Sequence, residues 1–341
     1  MKLTTPRNFR LRGAAIVVFV SVLAAVSVFS LSYGTAVAPL GEAGRLLPAG
    51  GAGSTTSAQY AEQAARTARQ VVPAGTSNAP SAARVFDGVS AMRFAQAQCD
   101  IGPRPPGTPE DVKTGDFIIK SLPAGWTVEE QKFEYKGVPI RNVIAKRGKG
   151  KLVILGAHYD TRPRADNDPN QPLGHILGAN DGASGVAVLL ELARVLPDTL
   201  NKEVWLAFFD AEDSGGINNW PWSIGAEHVA ASLTVTPAAV VVLDMIGDKD
   251  QQIYYEENSA PTIQKSIFTE AANLGYGAFF IPQLKYSMTD DHTPFLERGY
   301  PAVDLIDFDY PYWHTMQDTC DKIGPESLEH VGRTMQQWLQ K

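Results

Sequence analysis

The sequence predicts an α/β fold: a central, mostly parallel sheet with helices on both faces. Short apolar stretches alternate with helical ones from residue 81 onward. The stretches read as strands are apolar along their length rather than on alternate residues, as strands buried on both faces must be. No repeat and no internal break divides residues 81–341, so a single domain is expected there.

The elements follow in chain order. Val85 to Cys99 has helical apolar spacing, with Val85, Val89, Met92 and Ala97 expected on the buried side. Gly102-Pro103-Arg104-Pro105-Pro106-Gly107 is a rigid loop. Thr108-Pro109-Glu110-Asp111 opens a helix, with a hydroxyl cap, proline in the first turn and acids near the positive end. Strands are expected near 128–135, 141–147 and 151–158. A helix with an almost continuous apolar face is expected over 184–196. A buried strand near 203–209 leads into a long loop and a helix near 226–233. Further strands are expected near 238–246, 252–255 and 302–307, and helices over 261–274 and 326–339.

Of the 341 residues, 44% are apolar and 20% charged, so a packed core is feasible. The net charge of -7 lacks the basic footprint of a nucleic-acid binder. Residues 1–80 hold seven basic and two acidic residues, which leaves 23 basic and 35 acidic beyond them, a balance of -12. Excess carboxylate suits metal binding or a cationic substrate, and also an ordinary solvated surface.

Residues 1–38 read as a signal peptide or a signal anchor. Lys2, Arg7, Arg10 and Arg12 precede the apolar run Ala14 to Leu31, and Ala36-Val37-Ala38 fits a cleavage site. In either case the remainder is exported, to a periplasmic or extracellular space or tethered outside the cytoplasm, with membrane contact only through this anchor. Residues 39–80 are rich in Ala, Gly, Ser and Thr and read as a flexible linker. Two cysteines, Cys99 and Cys320, fall in the folded part. In an exported chain an even pair suggests one disulfide; two unrelated buried thiols is the other arrangement.

Acids and histidines recur where expected strands stop, the usual ligand edge of an open α/β sheet. His158-Tyr159-Asp160 ends one strand, and Gly178-Ala179-Asn180-Asp181-Gly182 leads into the next helix. Asp210-Ala211-Glu212-Asp213 and Asp244 end two more strands. Asp290-Asp291-His292 precedes a short helix, and Trp313-His314 follows the last strand. Each motif alone is commonly structural; their recurrence at successive strand ends points to a zinc site, which needs oxygen and imidazole ligands and an open position.

The segments HYD, GANDGASG, FFDAED, VVVLDMIGD, DDHTPFLERGYPA and YWHTMQDT occur in the order seen in the zinc aminopeptidase and glutaminyl cyclase superfamily, which the chain resembles over roughly residues 85–340. The resemblance implies a phosphorylase/hydrolase-like domain with a mixed central sheet. Aminopeptidases of that superfamily hold two zinc ions and hydrolyse N-terminal residues. Its cyclases hold one zinc and convert N-terminal glutamine of peptides and proteins to pyroglutamate. Two acids before His292, Trp313 directly before His314, and Trp220 and Trp222 after the Glu-Asp pair favour the cyclases, and GANDGASG, FFDAED and IDFDYPYWHT look most like bacterial cyclases of the animal type. GANDGASG also fits the peptidases, and Asp213 stands where many relatives have Glu.

Carried over position by position, the resemblance implies zinc ligation by Asp181, Asp213 and His314. It implies Glu212 as general base and acid, Asp244 and Asp290 as supporting acids, and Trp220 and Trp313 as pocket walls. His158 and Asp244 would serve a second metal in an aminopeptidase. If the strand pleat continued past residue 209, Glu212 and Asp213 would point in opposite directions.

Overall fold

The computed structural model describes residues 84–341, so the N-terminal signal or anchor and the linker lie outside the described residues. Among the described residues no helix is long and apolar enough to cross a membrane.

Helix α1 (Gly88–Ile101) is capped by the Asp87 carboxylate, which accepts from the Val89 and Ser90 amides. Helix α2 (Pro109–Ser121) starts at Thr108, whose hydroxyl accepts from Asp111 N, with Pro109 in the first turn. Strands β1 (Thr127–Tyr135) and β2 (Val138–Gly148) form an antiparallel hairpin. Its two-residue turn, Lys136-Gly137, has positive φ at both positions, which matches the twist of the flanking strands. Then come β3 (Lys151–His158), α3 (Ala183–Val195), β4 (Lys202–Phe209), α4 (Ile224–Ser232) and β5 (Ala239–Asp244). Strand β6 (Ile253–Glu256), α5 (Pro261–Asn273), β7 (Phe280–Tyr286), α6 (Thr293–Glu297), β8 (Ala302–Ile306) and α7 (Pro325–Gln340) complete the chain.

The main sheet has the order β1-β2-β4-β3-β5-β8. Strands β4, β3, β5 and β8 run parallel, and β2 and β1 are added antiparallel at one edge. Side chains alternate between two cores. Val153, Leu155, Val241 and Leu305 face a layer built from α1, α3 and α7. Leu152, Ile154 and Val240 face α4 and α6, with Phe295 among them. Covering both faces is what makes the parallel strands apolar throughout.

Two expectations need correction. Val85 and Val89 are exposed, and α1 buries Ala91, Ala95, Gln98 and Cys99 instead. The helix starts only at Gly88, and its small residues let it press against α3, so the contact face is narrower than the bulky valines suggested. Strand β7, paired with β6 in a second, two-stranded sheet, was not anticipated. Most of its residues are exposed, and Pro282 within it argues against a strand on pattern alone.

Candidate active site

Because β4, β3, β5 and β8 are adjacent in the sheet, at a spacing of about 4.8 Å per strand, whatever follows their C-terminal ends is brought side by side. His158 is the last residue of β3 and Asp244 the last of β5. Asp181 stands just before α3, Glu212 and Asp213 follow β4, Asp290 precedes α6, and His314 follows β8. All seven are buried.

Asp181, Asp213 and His314 converge. His314 Nε2 lies 3.1 Å from Asp213 Oδ1 and 3.6 Å from Asp181 Oδ2. One donor atom from each lies within 4.8 Å of the others. Asp181 Oδ2 is buried and has no hydrogen-bond partner among the described residues. Burial, and then the facing Asp181 carboxylate, push Asp213 up to about 6. A divalent cation between these acids would satisfy the orphaned oxygen and remove their repulsion. Two carboxylate oxygens and one imidazole nitrogen suit zinc with a fourth position open.

His158, Asp181 and Asp244 form a second group of the same kind. His158 Nε2 is 3.1 Å from Asp181 Oδ1 and 3.3 Å from Asp244 Oδ1. Asp181 therefore turns one oxygen to each histidine. Burial would lower the His158 imidazole, but bonding to Asp160, Asp181 and Asp244 overrides it and holds it well above the ordinary value.

Backbone and supporting side chains fix these positions. Strand β4 stops at Phe209, and Ala211 takes a left-handed conformation with φ of 61°. The expected pleat alternation therefore ends there, and Glu212 and Asp213 both reach the same cavity. Both oxygens of the Asp160 carboxylate are engaged: they accept from Glu212 N at 3.0 Å and from Asp213 N at 3.1 Å. Met245 and His314 are also left-handed, so three strained residues sit beside or within the site. Asp318 accepts from the amides of Asn180 at 2.9 Å and Asp181 at 3.1 Å, and from Tyr310 Oη at 2.6 Å. Arg162 pairs with Asp166 and donates to Asp213 O at 3.1 Å, and an Asp166 oxygen lies 3.6 Å from His314 Nδ1. A carboxylate so placed behind an imidazole orients the ring.

A cavity of about 180 Å³ opens on this group, lined by Glu212, Asp244 and Asp290 and walled by Trp222, Phe308 and Trp313. Trp313 is in that wall. Trp220 is not: its ring packs edge-on against Tyr135 at 5.1 Å, in a cluster with Ile140, Ala211 and Ile224. Trp222 takes its place, nearly parallel to His314 with ring centroids 6.1 Å apart. Gly215 admits that ring, since a Cβ there would lie 2.0 Å from it. Choosing between the two tryptophans needs the path of the loop, whose left-handed Gly216, Asn218, Asn219 and Ser223 follow no sequence pattern.

Burial lifts the Glu212 carboxyl well above the usual range; Asp290 and Asp213 add to this and His158 opposes it. Burial and then the Asp244 carboxylate push Asp290 up to about 7. The site thus holds acids that burial raises above their ordinary range, beside donor groups suited to a metal. The supports Asp160, Arg162, Asp166 and Asp318 were not singled out from sequence for these roles. Asp318 lies inside YWHTMQDT, the one signal that could have drawn attention to it.

The Cys99 and Cys320 sulfurs are joined, with Cα atoms 6.6 Å apart. His228 stacks on Phe133 and His330 on Phe279, and neither lines the cavity of about 180 Å³.

A family model described as Peptidase family M28 matches residues 142–339. The glutaminyl-peptide cyclotransferase of Boiga irregularis is 26% identical over 290 residues, covering 68% of this chain and 76% of that relative. The structure of Porphyromonas gingivalis glutaminyl cyclase matches with a TM-score of 0.71 at 34% identity, over 75% of this chain and 98% of that one. A Zn-dependent exopeptidase from Parabacteroides distasonis matches with a TM-score of 0.70 at 30% identity, over 76% of this chain and 100% of that one.

Proposed function

The chain belongs to peptidase family M28 and is an enzyme of the glutaminyl cyclase type, and we propose that it converts N-terminal glutamine of peptides and proteins to pyroglutamate with release of ammonia, using one zinc per chain. The observation that carries this is the company of Asp181, Asp213 and His314: a cavity of about 180 Å³ walled by tryptophans, with Glu212 in its lining. A slot of that size suits a single side chain.

Asp181, Asp213 and His314 would hold the ion, which when bound supplies a Lewis acid toward the glutamine γ-carbonyl oxygen. Glu212 takes a proton from the α-ammonium, whose own pKa is about 8. Burial raises the Glu212 carboxyl, which makes it a stronger proton acceptor than an ordinary carboxylate. The freed amine attacks the side-chain amide carbon, Cδ, and a new C–N bond closes the five-membered ring. The bond from Cδ to the side-chain amide nitrogen breaks as Glu212 gives that nitrogen its proton and then accepts the second proton of the ring nitrogen, so ammonia leaves and the lactam keeps one N–H. Asp244 and Asp290 hold the amine by hydrogen bonds. Trp222, Phe308 and Trp313 keep out the water that would otherwise compete for the same carbon. Nucleophile and electrophile belong to one residue, so positioning does much of the work.

One observation favours a second reading. The His158, Asp181 and Asp244 group would complete a two-metal aminopeptidase. Incubating the protein with Gln-initiated and Leu-initiated peptides and weighing the products separates the two. Loss of one ammonia without chain shortening supports the cyclase; release of free leucine refutes it in favour of the peptidase. The basic and apolar N-terminal pattern, with a disulfide suited to an oxidising compartment, supports an exported enzyme.

A further inference from the structure

We propose that a second, apolar cavity beside the catalytic one reads the residue that follows the N-terminal glutamine, selecting peptides whose second residue is aromatic or large aliphatic. This deepens the cyclase reading and rests on it. The cavity has a volume of about 620 Å³ and lies among β1, the Pro221–Ile224 segment, α4 and α6. That volume falls within the range of ligand pockets, about 300–1,000 Å³, whereas the catalytic slot alone falls below it.

The two cavities share Trp222 and Thr289. Ser223, in the wall of the larger one, directs its hydroxyl at Glu212 in the wall of the smaller, 3.5 Å away. The Trp222 indole is thus a party wall. With the glutamine seated, the next Cα is about 3.8 Å along the chain. In an extended peptide its side chain points away from the first. The second side chain therefore leaves the slot on the far side of a wall one ring thick.

The larger cavity has the chemistry for such an occupant. Phe133, Tyr135, Trp222, Ile224 and Pro294 supply apolar surface. Phe133 is held flat against His228, with centroids 3.9 Å apart and planes 5° apart, which makes a rigid face for an aromatic guest. The wall contains no lysine or arginine to receive an acid. Its two acids are Glu227, paired with Arg298, and the exposed Glu297. An acidic second residue would meet apolar surface and like charge.

The test is kcat/KM for ammonia release by the full chain from Gln-Phe-Ala, Gln-Leu-Ala, Gln-Ala-Ala, Gln-Asp-Ala and Gln-Ala-Phe. Gln-Phe-Ala should exceed Gln-Ala-Ala by about tenfold, mostly through KM, with Gln-Asp-Ala lowest. Ala231→Trp, made on an exposed rim position, should fill the cavity and bring the Phe/Ala ratio near one; Phe133→Ala should lower it partway. Equal constants across the panel, a preference that tracks the third residue, or a ratio unmoved by both variants overturns the inference and leaves the cyclase reading standing. Ammonia from none of the peptides refutes the cyclase reading, and this inference with it.

Discussion

Glu212 and Asp213 are consecutive, both buried and both lifted by burial, yet chemistry gives them separate tasks. Asp213 lies against His314, within the group that fits a metal; the Glu212 carboxylate accepts from the Ser223 hydroxyl and faces the cavity. Replacing Glu212 with Gln keeps the shape and removes the proton site. Glu212→Gln should therefore retain zinc and lose turnover by about 10²–10⁴-fold; turnover close to that of the native enzyme would refute the base role. His314→Ala should lose the metal as well, which metal analysis of the purified variant checks. At this scale the sequence was informative where chemistry recurs at strand ends, as with Asp181, Asp244 and His314. It was silent where a choice depends on backbone path, as between Trp220 and Trp222. It misled at Val85 and Val89, where bulk was taken for burial.

The elements themselves were largely legible, because strands buried on both faces and helices with one apolar face leave opposite patterns. What the pattern does not carry is how loops are tied to one another. Arg104 sits in what reads as a stiff proline-bracketed loop, yet its fully buried guanidinium donates to Tyr159 O at 2.5 Å, Leu177 O at 2.6 Å and Gly178 O at 2.8 Å. It thereby clamps the turn after β3 to the loop that delivers Asp181. Gly182 lies against the same guanidinium with φ of 102°, where a Cβ would crowd Asp160 O and the His158 ring. Burial lowers Arg104 to about 10, against the pull of Asp160, Asp318 and Asp181, so it stays charged at neutral pH. Arg104→Met would leave the Tyr159 and Leu177 carbonyls unpaired, with Gly178 O keeping only the Ala183 amide, and the neighbouring acids uncompensated. Urea denaturation should show a loss of about 3–5 kcal/mol together with weaker zinc retention. Arg104→Lys should recover little, since an ammonium cannot span three carbonyls as a planar fork does. A midpoint unchanged in Arg104→Met would show that the clamp does not hold the loop.

For the molecule as a whole, the site is assembled from segments spread between His158 and His314, so its precision depends on the fold holding both ends of the domain. Helices α1 and α7 pack together beside α3 at one side of the sheet. The Cys99–Cys320 bridge ties α1 to the loop that carries Asp318 and His314, across a separation of 221 residues. A cross-link that closes so long a loop restricts the unfolded chain strongly, worth up to about 5 kcal/mol in the chain-entropy account. It also fixes the stretch from which Asp318 holds the amide of Asp181. These two effects separate experimentally. Cys99→Ser combined with Cys320→Ser should lower the denaturation midpoint by an amount equivalent to about 2–5 kcal/mol. If the bridge also positions the ligand loop, the double variant should hold zinc less tightly under conditions where it is still fully folded. A lower midpoint with unchanged zinc affinity would confine the bridge to restraining the unfolded chain. An unchanged midpoint would show that the packing of α1 against α3 and α7 already holds the two ends without it.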